Sequence, residues 1–186
     1  GTDLEGHLVE RARERARREG VDGRASFLQV EPGPLGFDDG SFDVVLSTGA
    51  FTQVEDKAGM FRECRRVLRP GGALRAYDWM KTEGDYSEAM REWLALEGLT
   101  YAMVTAEEQA ELLRAAGFVD PVMTDASAWY RREVRREYEQ LAGPLLPRLE
   151  ALLGEEQAAH FVENWRAACA VCESGEMRQV YTAARC

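Results

Sequence analysis

Two acidic residues lie at the ends of predicted elements in the first part of the chain. Asp3 comes directly before a predicted helix over 4–19, and Glu31 follows a predicted strand over 25–30. A carboxylate accepts two hydrogen bonds at once, which suits the diol of a ribose, and Glu31 is placed to accept from an adenine amino group. Simpler roles also fit, with Asp3 as a helix cap and Glu31 as an exposed loop acid. Together the two acids predict a sheet end that holds a nucleotide-like ligand.

The block 37–78 predicts a strand, a helix and a second strand. The apolar run 42–47 is typical of a strand that is buried on both faces of a parallel sheet. An amphipathic helix is expected over 56–68, because its apolar residues recur on one stripe. Arg69-Pro70-Gly71-Gly72 is expected to end that helix in a turn, since proline cannot continue it and glycine reverses the chain without strain. Residues 73–77 predict the next strand.

A strand, a helix and a strand with short connections predict a right-handed parallel crossover. Ligands of such sheets bind at the carboxyl ends of the strands, here 47–50 and 78–80. The remaining sequence predicts further helices and two more strands, of which the first lies near a sheet edge because it contains Pro121. The helices are expected over 87–96, 106–116, 127–141, 145–153 and 155–172, and the strands over 118–124 and 176–184.

Composition limits the class of protein. A chain of 186 residues with 45% hydrophobic and 30% charged residues predicts one globular domain. The net charge of −10 argues against a nucleic-acid partner, and no apolar run approaches a membrane span. The polar N-terminus is unlike a signal peptide, so a cytoplasmic protein is expected. Cys169 and Cys172 have the spacing of a metal site but no second ligand pair, so buried apolar thiols and no metal are expected.

Several segments, taken in order, resemble the class I, or Rossmann-like, S-adenosylmethionine-dependent methyltransferases. The segments that carry the resemblance are Gly1-Thr2-Asp3-Leu4, Val30-Glu31 ahead of Leu35-Gly36-Phe37, residues 41–45 and residues 66–72, with a continuation over 105–118 and 175–185. The resemblance implies an α/β fold with a mostly parallel sheet, an antiparallel last strand and a helical C-terminal insertion. It implies a single domain over 1–186, with a cofactor-binding part (1–80), a helical substrate-side part (81–175) and a closing strand (176–186).

The resemblance also implies roles for individual residues. For S-adenosylmethionine, it implies that Asp3 holds the ribose, Leu4 packs on the adenine, Glu31 accepts from the adenine amine beside Pro32, and Ser47 and Thr48 approach the sulfonium side. For the small-molecule acceptor, it implies a pocket lined by Gln53, Trp79, Tyr101 and Trp129, with Gln53 as the catalytic candidate. Core packing explains the three aromatic residues equally well.

Within that family the sequence is most similar to small-amine N-methyltransferases of the phosphoethanolamine and sarcosine/dimethylglycine types. The likeness rests on Ser47, Ala50 and Phe51, on Tyr101, and on Trp165 with Gly175-Glu176. Three positions depart from that type: Gly49 replaces an aspartate, Gln53 a histidine and Leu99 an arginine. Because a phosphate-bearing substrate needs cations, phosphoethanolamine is disfavoured as the acceptor.

The family's first strand and its glycine-rich turn do not occur in this sequence. That strand is central in the family's sheet, and leaving its neighbours without partners would cost roughly 1–3 kcal/mol for each buried backbone group. Net stabilities are only about 5–15 kcal/mol. We therefore expect an N-terminally truncated fold, in which this sequence is a piece of a longer parent or something else fills the gap.

Two other functions remain open at this stage. A degenerate methyltransferase fold that acts as a binding or interaction module would explain the missing glycine-rich turn together with Gly49 and Gln53. A nicotinamide-dependent Rossmann enzyme could use Asp3 equally well, but the sequence 67–72 after a buried strand favours methyl transfer. The main hypothesis is S-adenosylmethionine-dependent methyl transfer to a small molecule, possibly an amine.

Overall fold

The computed structural model describes residues 1–31 and 33–186, and the chain divides into two compact units, Gly1–Asp39 and Gly40–Cys186. The elements of the first unit are β1 (Thr2–Asp3), α1 (Gly6–Arg18) and β2 (Leu28–Gln29). Those of the second unit are β3 (Phe42–Thr48), a 3₁₀ turn (Phe51–Gln53), α2 (Lys57–Val67), β4 (Leu68–Lys81), α3 (Glu88–Glu97), α4 (Ala106–Ala115), β5 (Val119–Asp125), α5 (Ser127–Leu141), α6 (Leu146–Leu153), α7 (Glu155–Glu173) and β6 (Met177–Arg185). The arrangement of 1–186 as one domain stays a prediction.

In the first unit, two short parallel strands pack with one amphipathic helix. β1 pairs with β2, Thr2 opposite Leu28 and Asp3 opposite Gln29. The guanidinium of Arg13 in α1 donates to the carbonyl of Phe27 at 3.0 and 2.7 Å, which ties the helix to the residue before β2. The strand predicted over 25–30 is therefore present but is only two residues long.

The second unit contains a four-stranded sheet in the order β3-β4-β6-β5. β3 and β4 are parallel and are joined through α2, which confirms the predicted crossover unit. β6 runs antiparallel to both of its neighbours, which confirms the antiparallel closing strand, and β5 lies at the edge as Pro121 predicts. The expected α/β fold, parallel in its first strands and antiparallel at its end, is confirmed.

The start of β4 differs from the sequence-based prediction. The turn expected over 69–72 is part of the strand, which begins at Leu68 directly after α2. Leu68 pairs with Phe42, whereas Ala73 pairs with the residue two further along β3, Val44. The extra residues are accommodated as an irregularity of the ladder, of the kind that a β-bulge produces. The helix ends two residues before Pro70, at Leu68, which has extended dihedral angles. Proline is therefore not what stops it.

The burial expected for β3 is wrong. Val44 is 53% and Leu46 72% exposed, although their strand was predicted to be buried on both faces. Val44 and Leu46 share one face of β3, which stays open to solvent in the described residues, whereas Val45 and Ser47 on the other face are half-buried and buried. The apolar run correctly indicated a parallel strand, but it did not indicate that one face of the strand is exposed.

Two buried clusters form the core of the second unit. One packs α2 and α4 against β4 and includes Phe61, Leu74 and Leu113. The other packs α3, α5 and α7 together around Trp93 and Val134. The expected helical region 127–172 is confirmed within a residue or two at its ends.

The cysteine pair on α7 belongs to the second cluster. Cys169 and Cys172 are both buried, as expected. Burial raises the pKa of the Cys172 thiol to about 12, which keeps it neutral. Among the helices that the structure describes, none combines the length and the apolar character that crossing a bilayer requires.

Candidate functional site

The acids of the first unit lie at adjacent strand ends. Asp3 is the last residue of β1 and stands opposite Gln29 in the parallel ladder, and Glu31 follows β2 by two residues. The amide of Val30 donates to the carbonyl of Asp3 at 3.0 Å, so the pairing continues to the residue before Glu31. Parallel strands put their carboxyl ends at one edge, so both acids belong to the same edge of this small sheet.

The two acids are open to solvent. Asp3, Leu4 and Glu31 are exposed, and one oxygen of Asp3 accepts from the amide of Glu5 at 2.9 Å. Asp3 therefore stabilises the chain entering α1, as a simple cap would. Pro32, expected beside the adenine, lies outside the described residues.

In the second unit, the predicted residues Ser47 and Thr48 end β3. Thr48 is exposed, whereas the Ser47 hydroxyl is buried and has no hydrogen-bond partner among the described residues. Gly49 follows at φ +77°, a left-handed conformation that favours glycine, and its amide donates to the carbonyl of Tyr77 at 2.8 Å. Ser47 and Tyr77 also line a cleft of about 190 Å³ on the exposed sheet face, opposite Tyr181.

The 3₁₀ turn after Gly49 is attached to β4 through Thr52. One carboxylate oxygen of Asp78 accepts from the Thr52 amide at 3.2 Å and from its hydroxyl at 3.3 Å. The same hydroxyl accepts from the amide of Trp79 at 3.2 Å. Gln53, the catalytic candidate, is the next residue of the turn and is exposed.

A buried lysine braces the same turn from the other side. The ammonium of Lys57, at the start of α2, donates to the carbonyls of Phe51 at 2.6 Å and Val54 at 2.8 Å. Burial lowers the pKa of Lys57, and the charge of Asp78 partly offsets that effect. Burial raises the pKa of Asp78 from 3.8 to about 6, against the opposing effects of its Thr52 hydrogen bonds and of Lys57.

Sequence reasoning placed Asp78 at the carboxyl end of a strand, whereas β4 continues to Lys81, and it assigned no role to Thr52 or Lys57. A usable signal was present, because Asp78 is a carboxylate within a strand whose alternate residues Leu74, Ala76 and Met80 are apolar and buried. A buried carboxylate requires hydrogen-bonding or charged partners, so an inward-facing aspartate predicts that partners must come from elsewhere in the chain. The sequence did not reveal which residues those would be.

The aromatic residues expected around the acceptor form a packed cluster. The Trp79 ring lies 5.4 Å from Trp93, 5.7 Å from Tyr101 and 6.3 Å from Tyr130, centroid to centroid. Trp93 and Tyr101 are stacked with an interplanar angle of 4°. Trp129 is 46% exposed and contacts the cluster through Tyr130, at 6.4 Å. The structure thus brings Trp79 and Tyr101 together and leaves Trp129 at the periphery.

The strands, the crossover helix and the polar residues at the strand ends together indicate a class of fold. Parallel strand pairs with acids or hydroxyls at their carboxyl ends, a crossover helix and an antiparallel closing strand are the parts of a Rossmann-like nucleotide-binding fold. Residues 1–76 match the family model for a methyltransferase domain. The fold over the whole chain is similar to that of class I S-adenosylmethionine-dependent methyltransferases of known structure.

Three known proteins illustrate the relationship. A sterol 24-C-methyltransferase of Aspergillus fumigatus is 33% identical over 124 residues, which cover 63% of this chain and 33% of that protein. The Haemonchus contortus phosphoethanolamine N-methyltransferase 2, solved with phosphomonomethylethanolamine and S-adenosylhomocysteine, has a TM-score of 0.89 at 22% identity; the match covers 100% of this chain and 42% of that one. A Galdieria sulphuraria chain named for sarcosine dimethylglycine methyltransferase has a TM-score of 0.86 at 18% identity, over 99% of this chain and 67% of that one. The chain thus spans about a third of the length of the sterol relative.

Proposed function

We propose that this protein takes part in S-adenosylmethionine-dependent methyl transfer to a small-molecule acceptor, with an amine as the first candidate. The observation that supports the proposal most directly is the parallel pairing of β1 with β2. It puts Asp3 and Glu31 at one edge of a sheet, inside the segment that matches a methyltransferase domain.

The residues of this edge fit the nucleoside part of the cofactor. Asp3 keeps its carboxylate exposed at a strand end, where it can accept from both hydroxyls of a ribose. Glu31 is exposed at the neighbouring end and can accept from an adenine amine, while the exposed side chain of Leu4 offers an apolar surface for the adenine ring. When bound, S-adenosylmethionine supplies an electrophilic methyl group on its sulfonium sulfur.

The second unit supplies the residues proposed for the sulfonium and acceptor sides. The Ser47 hydroxyl, which has no hydrogen-bond partner in the described part of the chain, is with Thr48 the proposed contact near the sulfonium. Gln53, Trp79 and Tyr101 are the proposed acceptor wall, where aromatic faces favour a cationic or methylated amine. Burial raises the pKa of Tyr101, with the Glu97 carboxylate acting in the same direction, so its phenol stays neutral and acts as a hydrogen-bonding wall. In-line transfer depends mainly on alignment and exclusion of water.

The test is isothermal titration of the protein with S-adenosylmethionine and S-adenosylhomocysteine. We expect Asp3→Asn to weaken binding by roughly 10- to 100-fold, the effect of losing about 1.5–3 kcal/mol from hydrogen bonds to a charged acceptor. Asp22→Asn, at another exposed aspartate of the first unit, is the matched control and should bind as the original does. Absence of heat at high protein concentration would overturn the proposal.

A binding or interaction module is the second candidate. It is favoured by Gly49 and the exposed Gln53, which offer no ionisable group at the end of β3. The two functions differ in a radiolabel assay that follows transfer of the methyl group to a panel of primary, secondary and tertiary amines. Cofactor binding without transfer to any acceptor would favour the module.

A further inference from the structure

Thr52 uses every polar group it has to join separate segments of the second unit. Its amide and hydroxyl both donate to Asp78, and its hydroxyl accepts from the amide of Trp79. Its carbonyl accepts from the amide of Ala102 at 2.8 Å. Thr52 is only 3% exposed, so these bonds are shielded from water.

Each of these bonds lies next to a residue of the proposed acceptor wall. Gln53 follows Thr52 in the turn, and Trp79 is itself the donor to the Thr52 hydroxyl. Tyr101 directly precedes Ala102, which lies in the segment between α3 and α4. One residue, through its side chain and its own backbone, therefore connects the backbone next to three wall residues that come from three different parts of the chain.

The position of Thr52 in the sheet explains why this residue can do so. β3 pairs with β4 as far as Thr48 opposite Tyr77. Beyond that point the Trp79 amide has no β3 neighbour in the ladder, and the hydroxyl of Thr52 takes the place of a backbone carbonyl. Lys57 fixes the carbonyls on either side of Thr52, at Phe51 and Val54.

We infer that Thr52 is a positioning residue that sets the relative placement of Gln53, Trp79 and Tyr101. The name acceptor wall rests on the proposed function. The inference that Thr52 places these three residues rests on the hydrogen bonds alone. A hydroxyl is required because the site needs one donor toward Asp78 and one acceptor for Trp79. Valine has nearly the same shape and provides neither, whereas serine provides both.

Amide hydrogen exchange measured by NMR tests this role without cofactor or acceptor. In Thr52→Val we expect the amides of Trp79 and Ala102 to exchange roughly 10- to 100-fold faster, because the bonds that hold them are lost or misplaced. Thr52→Ser should restore protection to within about threefold of the original, since it keeps the hydroxyl. Thr124→Val, an exposed threonine on β5, is the matched control and should leave both amides unchanged.

Two results would overturn the inference. One is unchanged exchange at Trp79 and Ala102 in Thr52→Val; the other is an equal rise throughout α7, which would mean a general loss of stability. If Thr52→Val does not fold, the original protein and Thr52→Ser decide the question. In both of these proteins the amides of Trp79 and Ala102 should then have the same free energy of opening. Exchange of the Ala102 amide about tenfold faster than that of Trp79 would contradict the idea that Thr52 holds both. A protein that passes this test but transfers no methyl group refutes the proposed function alone.

Discussion

Replacing Asp78 by asparagine measures the cost of burying a carboxylate inside the sheet. Asp78 is 1% exposed, and its burial raises its pKa from an ordinary 3.8 to about 6. The folded protein therefore holds this proton more tightly than the unfolded chain does. At about 1.4 kcal/mol for each pH unit, the difference corresponds to about 3 kcal/mol of unfolding free energy.

The sign follows from proton linkage. Between about pH 4 and about pH 6 the folded state binds more protons at Asp78 than the unfolded state, so the stability contributed by this group falls as the pH rises. The contribution is fully present below the unfolded pKa and lost above the folded one. Asparagine cannot titrate, so this dependence is absent from Asp78→Asn, while the other carboxylates are common to both proteins and cancel in the difference.

The assay is urea unfolding followed by tryptophan fluorescence. The four tryptophans are Trp79, Trp93, Trp129 and Trp165, which all lie in the unit Gly40–Cys186 that contains Asp78. We expect the unfolding free energy of the original minus that of Asp78→Asn to fall by about 3 kcal/mol between about pH 3 and about pH 7. A difference that is constant within about 0.5 kcal/mol, or that rises with pH, would refute the reasoning.

Two further substitutions test local features of the second unit. Thr105→Ala removes the hydroxyl that accepts from the Glu108 amide at 3.1 Å in the capping box of α4, so we expect a loss of about 1 kcal/mol in urea unfolding. Gly72→Ala places a Cβ atom 2.9 Å from the carbonyl oxygen of Arg69, so we expect a loss of about 1–3 kcal/mol. Gly36→Ala, where an added Cβ meets open space, is its control, and an equal loss at both glycines would show that the close approach has no effect.

Local pattern predicted most of the elements. The helices α3, α4 and α5 begin and end within about two residues of their expected limits, because capping residues such as Ser87 and Thr105 act on the nearest turn of backbone. The parallel pairing of β3 with β4 also followed from sequence, since a strand, a helix and a strand with short connections have few ways to pack. What local pattern missed at Leu68 was the start of a strand inside a segment rich in proline and glycine.

For the candidate site, too, some features follow from the sequence and others only from the tertiary structure. By itself the sequence determined that Asp3, Glu31, Ser47 and Thr48 follow or end strands, because hydrophobic periodicity and turn residues are properties of neighbouring positions. Only the tertiary structure decided that Thr52 meets Asp78 across 26 residues and that Val44 remains exposed. The register of β3 on β4 and the cover over each sheet face set those outcomes, and both depend on contacts between distant segments that no local pattern encodes.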